Sequence, residues 1–209
     1  QSNVAATIQV DSRILTLMKR SFPTLTFTGA SYIDVLEKED LDNYDAEIVL
    51  VSLGKYYHHE IIKAQNDFEN GVNTNSFLVA DNDRVEYWKN RLQGLTTKKT
   101  VGICWRSGLK SKLRFIHYMS AEQIVDIFAD LDCCVVNVQY DYTQQELDII
   151  ASGLGDRFIH FPEIDLRNDQ DELAALLKAL DMIFSAPTAV HALAGAIGVK
   201  TFCFVYNSE

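Results

Sequence analysis

Two short stretches concentrate the residues that could do chemistry. In "RSGLKSKLR" (106–114), Arg106, Lys110, Lys112 and Arg114 fall within nine residues, beside Ser107 and Gly108. Such a cluster suits a diphosphate, because guanidinium and ammonium groups pair with phosphate oxygens. The same charges also describe an ordinary solvated loop. The second stretch, "FSAPTAVHALAGAIG" (184–198), runs from an apolar segment into a helical pattern. Pro187 suits the first turn of that helix, and Thr188 brings a hydroxyl beside backbone N–H groups that a helix start leaves unpaired. A start of this kind binds anions. Ala189, Ala192, Ala194, Gly195 and Ala196 permit close approach of a sheet or of a ligand, and His191, one turn in, could face either.

The elements that would hold these groups read clearly in the second half. "KTVGICW" (99–105), "CCVVNVQ" (133–139), "RFIHF" (157–161), "MIFSA" (182–186) and "KTFCFVY" (200–206) have the character of buried strands. Between them lie the helical patterns "SAEQIVDIFADL" with Ser120 as N-cap, "TQQELDIIASGL" ending at Gly153 or Gly155, and "DQDELAALLKAL". Strands apolar on both faces and alternating with helices predict a parallel sheet covered on both sides. Ligands of such sheets sit at the carboxyl ends of the strands. Those ends carry 106–114, 139–144 with Gln139 and Tyr140, 162–169 and 185–191.

The first half is also β/α. "ATIQVD" and "TLTFTG" read as strands around a helix capped by Ser12, "DAEIVLVSL" (45–53) as a third strand, and "YYHHEIIKAQNDF" as a helix. "DNDRVEYWKNRLQGL" reads as a solvated helix leading to a polar stretch near 94–99, where a domain boundary is expected. The expectation is an α/β chain of two Rossmann-like lobes, residues 1–96 and 97–209.

The 209 residues are 47% hydrophobic with a formal net charge of −10, enough for a sizeable core and unsuited to nonspecific nucleic-acid binding. Cys104, Cys133, Cys134 and Cys203 form no C-x-x-C pair, and no metal-ligand spacing is found. Buried, reduced thiols and the lack of an apolar run of about 18 residues suggest a cytoplasmic protein without a membrane span. His58 and His59 read as a solvated pair. Asp165, Asp169 and Asp171 could hold a ribose or cap the following helix, capping being the favoured reading. No phosphate-binding P-loop, G-x-G-x-x-G or G-x-S-x-G pattern occurs.

"VGICWRSG", "HYMS", "VVNVQY" and "DLRNDQDELAALLKALDMIFSAPTAVHALAGAIGVKT" resemble the carboxyl-terminal glycosyltransferase-like region of bacterial tetratricopeptide-repeat proteins. That region is similar to the heptosyltransferases. "VDSRILTLMKRSFP" and "ADNDRVEYWKNRL" extend the resemblance over nearly all the chain. It implies a GT-B architecture whose first lobe is incomplete here, and metal-independent transfer of a sugar from a nucleotide sugar to a protein or glycan acceptor. No cofactor is implied, the nucleotide sugar being the donor substrate. Carried onto this chain, Arg106 and Ser107 meet the diphosphate with Lys110 or Arg114, Gln139 and Tyr140 lie near the nucleotide, and Pro187 and Thr188 form the phosphate-binding helix start. Related sequences carry Asp-Thr or Asp-Ser where this one has Pro187-Thr188, and their His stands at the position of Ala192. His191 is therefore turned by about 100° around the helix. The family's glycine-rich acidic turn is not found, so the chain is expected to be a piece of a longer protein. The alternative is a degenerate GT-B module that binds without chemistry.

Overall fold

The computed structural model describes residues 5–31, 44–70, 76–108 and 115–205. Contacts divide the chain into two compact units, residues 1–29 with 76–209, and residues 30–75. In the first unit, β1 (Thr7–Asp11), α1 (Leu15–Ser21) and β2 (Thr26–Ala30) form a small two-stranded parallel sheet with its crossover helix. Asp11, rather than Ser12, opens the turn that leads into α1. Its carboxylate accepts from Arg13 N at 2.9 Å and also pairs with the Arg13 guanidinium at 2.7 Å.

In the second unit, the expected strand at 45–53 does not form. Residues Leu50–Lys55 wind into a 3₁₀ helix before α2 (His58–Glu69). An apolar run becomes a strand only where a neighbour completes its hydrogen-bond ladder, and none pairs with it among the described residues.

Back in the first unit, α3 (Asn82–Leu95) starts at Asp81, whose side chain accepts from Arg84 N at 3.1 Å. This helix is not solvated all round. Val85, Trp88 and Leu92 form a buried stripe at helical spacing, and Trp88 lies 4.9 Å from the Phe161 ring.

The main sheet follows. Its elements are β3 (Lys99–Cys104), α4 (Ala121–Phe128), β4 (Cys133–Asn137), α5 (Gln144–Leu154), β5 (Phe158–Ile159), α6 (Gln170–Ala179), β6 (Met182–Ser185), α7 (Ala189–Ala196) and β7 (Thr201–Cys203). The five strands are parallel in the order β5-β4-β3-β6-β7, a Rossmann-like arrangement. Val101, Ile103 and Trp105 point to one face with Ile124, Phe128 and Ile150 of α4 and α5. Cys104, Val136 and Ile183 point to the other with Leu173, Leu176, Val190 and Ala194 of α6 and α7. Both faces are covered, which is why these strands lack the polar alternation of a half-exposed sheet.

Helix signals act where the sequence places them. Ser120 with Gln123 and Thr143 with Glu146 form capping boxes, and Asp169 caps α6 by accepting from Glu172 N at 2.9 Å. Of the two candidate terminators of α5, Gly155 is the one that turns the chain, with φ of 57°. Gly153 lies inside the helix instead, because α4 presses against it. A Cβ there would stand 2.7 Å from one Val125 methyl, still nearer the other, and 3.1 Å from Val125 Cβ.

Gly153→Ala is therefore expected to lower stability by about 1–3 kcal/mol despite alanine's better helix propensity. Adding Val125→Ala is expected to recover part of that loss. Urea unfolding of the single and double variants checks both, and a stabilising Gly153→Ala would contradict the close α4–α5 contact.

Candidate functional site

From β3 the chain steps outward to β4 and β5, and it then returns to the opposite side of β3 to make β6 and β7. The strand order thus reverses between β3 and β6, and in open α/β sheets ligands bind in the crevice between the loops that leave the carboxyl ends of such strands. The loop after β3 supplies Arg106, Ser107 and Gly108, and the loop after β6 supplies Ala186, Pro187 and Thr188. Ala186 N donates to Cys104 O at 2.8 Å, so the two exits are tied at their base.

Thr188 is the N-cap of α7, which puts Pro187 outside the helix rather than in its first turn. The Thr188 hydroxyl makes no capping bond. It turns inward, 3.4 Å from Ser185 Oγ and 3.6 Å from Cys104 Sγ. Among the described residues no side chain caps the start of α7, and a helix start of this kind leaves N–H groups that an anion can take. His191 stands on the first turn, half-buried, and the next position is the exposed Ala192.

A third loop, after β4, grips the first residue by residue. Gln139 Oε1 accepts from Arg106 N at 3.1 Å and from Cys104 Sγ at 3.4 Å. Tyr140 OH donates to Ser107 Oγ at 3.2 Å and accepts from Gly108 N at 3.1 Å. Asp141 Oδ2 accepts from Arg106 Nη1 at 3.2 Å. Gln139 is fully buried, and among the described residues its Nε2 has no hydrogen-bond partner. Its amide orientation is set by chemistry, since two donors converge on the other atom. Behind it, Asn137 Oδ1 accepts from Gln139 N at 3.0 Å, which leaves Asn137 Nδ2 to donate to His160 Nδ1 at 3.0 Å. His160 is consequently the neutral tautomer protonated at Nε2, and burial holds its pKa below the usual range against the opposing pull of Glu163.

Glu146 completes the grip from the first turn of α5. Both of its oxygens accept from Arg106, through Nε and Nη2, at 2.7 Å each. The Trp105 indole and the Thr143 N–H also donate to it, at 3.2 and 2.7 Å. Burial alone would raise this carboxyl. The hydrogen bonds from Arg106, Thr143 and Trp105 outweigh it and hold the pKa at about 2. Burial pushes the Cys104 thiol up to about 11, so it is no nucleophile at neutral pH.

Of the residues singled out in the sequence, the structure brings Arg106, Ser107, Gln139 and Tyr140 into one hydrogen-bonded cluster, with Cys104 joining it to Thr188. Pro187 and His191 flank the start of α7. Lys110 and Arg114 lie outside the described residues. Asp165 folds onto its own loop, accepting from Arg167 N and Asn168 N, and Asp171 pairs with Arg20 at 2.6 Å. Asp141 and Glu146 are the residues that sequence reasoning missed. The Thr143-x-x-Glu146 capping box could have drawn attention to Glu146, though not to its second partner, Arg106.

No family model matches this chain, and no solved structure does either. It is 26% identical over 203 residues to Protein FlbA of Caulobacter vibrioides, a distant homologue over 93% of the chain. The chain spans about a third of that relative's length, 33%. Among the described residues no helix is long and apolar enough to cross a membrane.

The low pKa of Glu146 makes a stability prediction with a definite sign. A carboxyl near 2 when folded and about 4.3 when unfolded stabilises the fold above pH ~4.3, and the gain is lost as pH falls toward 2. Glu146→Gln is expected to cost about 2–3 kcal/mol at pH 7, below the ~3–5 of a fully buried broken pair because Asp141 still faces Arg106. It is also expected to flatten the stability profile between pH 4.5 and 2. Urea unfolding at several pH values checks this, and parallel profiles for the two proteins would contradict it.

Proposed function

We propose that the parallel-sheet unit is a glycosyltransferase-like lobe of GT-B type, which holds a nucleotide sugar at the β3–β6 crevice. The observation that carries this reading is the switch point itself, where the loop with Arg106 and Ser107 leaves β3 and the chain runs from the neighbouring β6 into the start of α7. Backbone N–H groups there would donate to the diphosphate, with Gln139 and Tyr140 on the nucleotide side. In the intact parent the same donors would stabilise the charge that builds on the departing diphosphate, without a metal, while an acceptor-side base activates the incoming hydroxyl. The proposal extends to two Rossmann-like lobes meeting near residue 96, with the sugar acceptor on the first. Its setting would be the cytoplasm.

A specific observation favours the second reading, a module that binds without chemistry. The Arg106 guanidinium already faces two carboxylates, and Pro187 brings no acidic group to the helix start. The two readings share the binding step and part at sugar transfer.

Calorimetric titration with UDP, GDP, ADP and CDP tests the shared step, with one nucleotide expected to bind. Ala189→Pro is the informative variant. Proline is tolerated at the first helical position, follows an extended Thr188, and removes one N–H from the crevice. It is expected to weaken binding about three- to tenfold with little change in melting temperature. If no nucleotide binds a well-folded chain, the proposal falls. Release of the sugar from a bound donor by the parent protein would decide for the transferase, and an intact donor for the binder.

A further inference from the structure

We infer that Asp141 is a built-in competitor for Arg106, an internal anion that a nucleoside diphosphate must displace to reach the guanidinium. This rests on the nucleotide-binding reading and adds to it a regulation of the same crevice.

The two carboxylates on Arg106 are not equivalent. Glu146 engages it in a bidentate pair, 2.7 Å from both Nε and Nη2, and is itself fixed by the α5 capping box and the Trp105 indole. Asp141 makes one longer contact, 3.2 Å to Nη1, from a side chain 39% exposed against 21% for Glu146. Among the described residues Asp141 has no other hydrogen-bond partner. A wet, singly bonded carboxylate is the weaker of the two and gives way first.

Its position matches that role. The Asp141 carboxylate rests against Gly108, where an added Cβ would meet Oδ2 at 2.9 Å and Cγ at 3.4 Å. The carboxylate therefore covers the Arg106–Gly108 turn on the side where Nη1 emerges. In the same loop as Asp141, Gln139 Oε1 accepts from Arg106 N, and its buried Nε2 has no partner among the described residues. A diphosphate carries more negative charge than a carboxylate and offers several oxygens, so it can take over Nη1 while Glu146 keeps its hold on the other side. Affinity is then reduced by the fraction of molecules in which Asp141 occupies Arg106.

Asp141→Asn keeps the size and removes the charge, and Asp141→Ser serves as a second variant should the amide pack badly. Asp148→Asn is the control for general electrostatics, because Asp148 is an exposed carboxylate of α5 that bonds Gln144 rather than Arg106. All are titrated by calorimetry with UDP, GDP, ADP and CDP on the 209-residue chain. The expected result is binding about five- to tenfold tighter for either Asp141 variant and changed less than about twofold for Asp148→Asn. Equal gains at both positions would mean ordinary charge repulsion and overturn the competitor role. Unchanged or weaker binding in the Asp141 variants would overturn it too while leaving the nucleotide site standing. Failure of every protein to bind any of the four nucleotides would remove the site, and this inference with it.

Discussion

The pairing of Arg106 with Glu146 organises everything around the crevice. An arginine leaving the end of a buried strand must be neutralised close by, since a charge in that setting without a partner costs several kcal/mol. The partner comes from the first turn of α5, already positioned there by its capping bond to Thr143. One ion pair therefore locks the exit of β3 to the entry of α5, and it aligns the Trp105 indole as well. The loop between β4 and α5 is drawn across the exit of β3, which is why Gln139, Tyr140 and Asp141 each find a bond there. Arg106 is thus a structural arginine before it can be a ligand-binding one.

The acidic excess of the chain is used in the same way elsewhere. Arg20 from α1 forms a paired contact with Asp171, at 2.6 and 2.7 Å, and Arg84 from α3 forms another with Glu172. Trp88 adds its indole N–H to Glu172 at 2.9 Å. Carboxylates that also supply negative charge at the start of α6 thereby fasten α1 and α3 to that helix. The acidic residues at the start of α6 are thus engaged, whereas the first turn of α7 has no acidic residue and, among the described residues, no side-chain cap.

Local signals were legible in the sequence and distant ones were not. The strand–helix alternation, the caps at Ser120 and Asp169 and the parallel sheet follow from periodicity and from residues a few positions apart. The burial of α3 rests on Trp88 meeting Phe161, and the state of Arg106 on a glutamate forty residues on, pairings that no local pattern encodes. The 45–53 run shows the same limit, since an apolar segment reads as a strand whether or not a neighbour exists. Pro187 misled for a subtler reason. Proline fits the first turn of a helix, but it also fits the extended residue before a cap, and only the fold separates the two. At the candidate site, sequence reasoning put Arg106 in the loop that leaves β3 but assigned it a freedom that Asp141 and Glu146 do not leave it.

The most direct measurement of the central claim, that the β3–β6 crevice is a nucleotide site, is amide NMR on the ¹⁵N-labelled chain during titration with UDP, GDP, ADP and CDP. The expected result is a concentrated set of shifts at Ser107, Gly108, Ala189, Val190 and His191, together with the side-chain amide of Gln139. Shifts confined to other surfaces, or none at any of these groups in a folded protein, would contradict it.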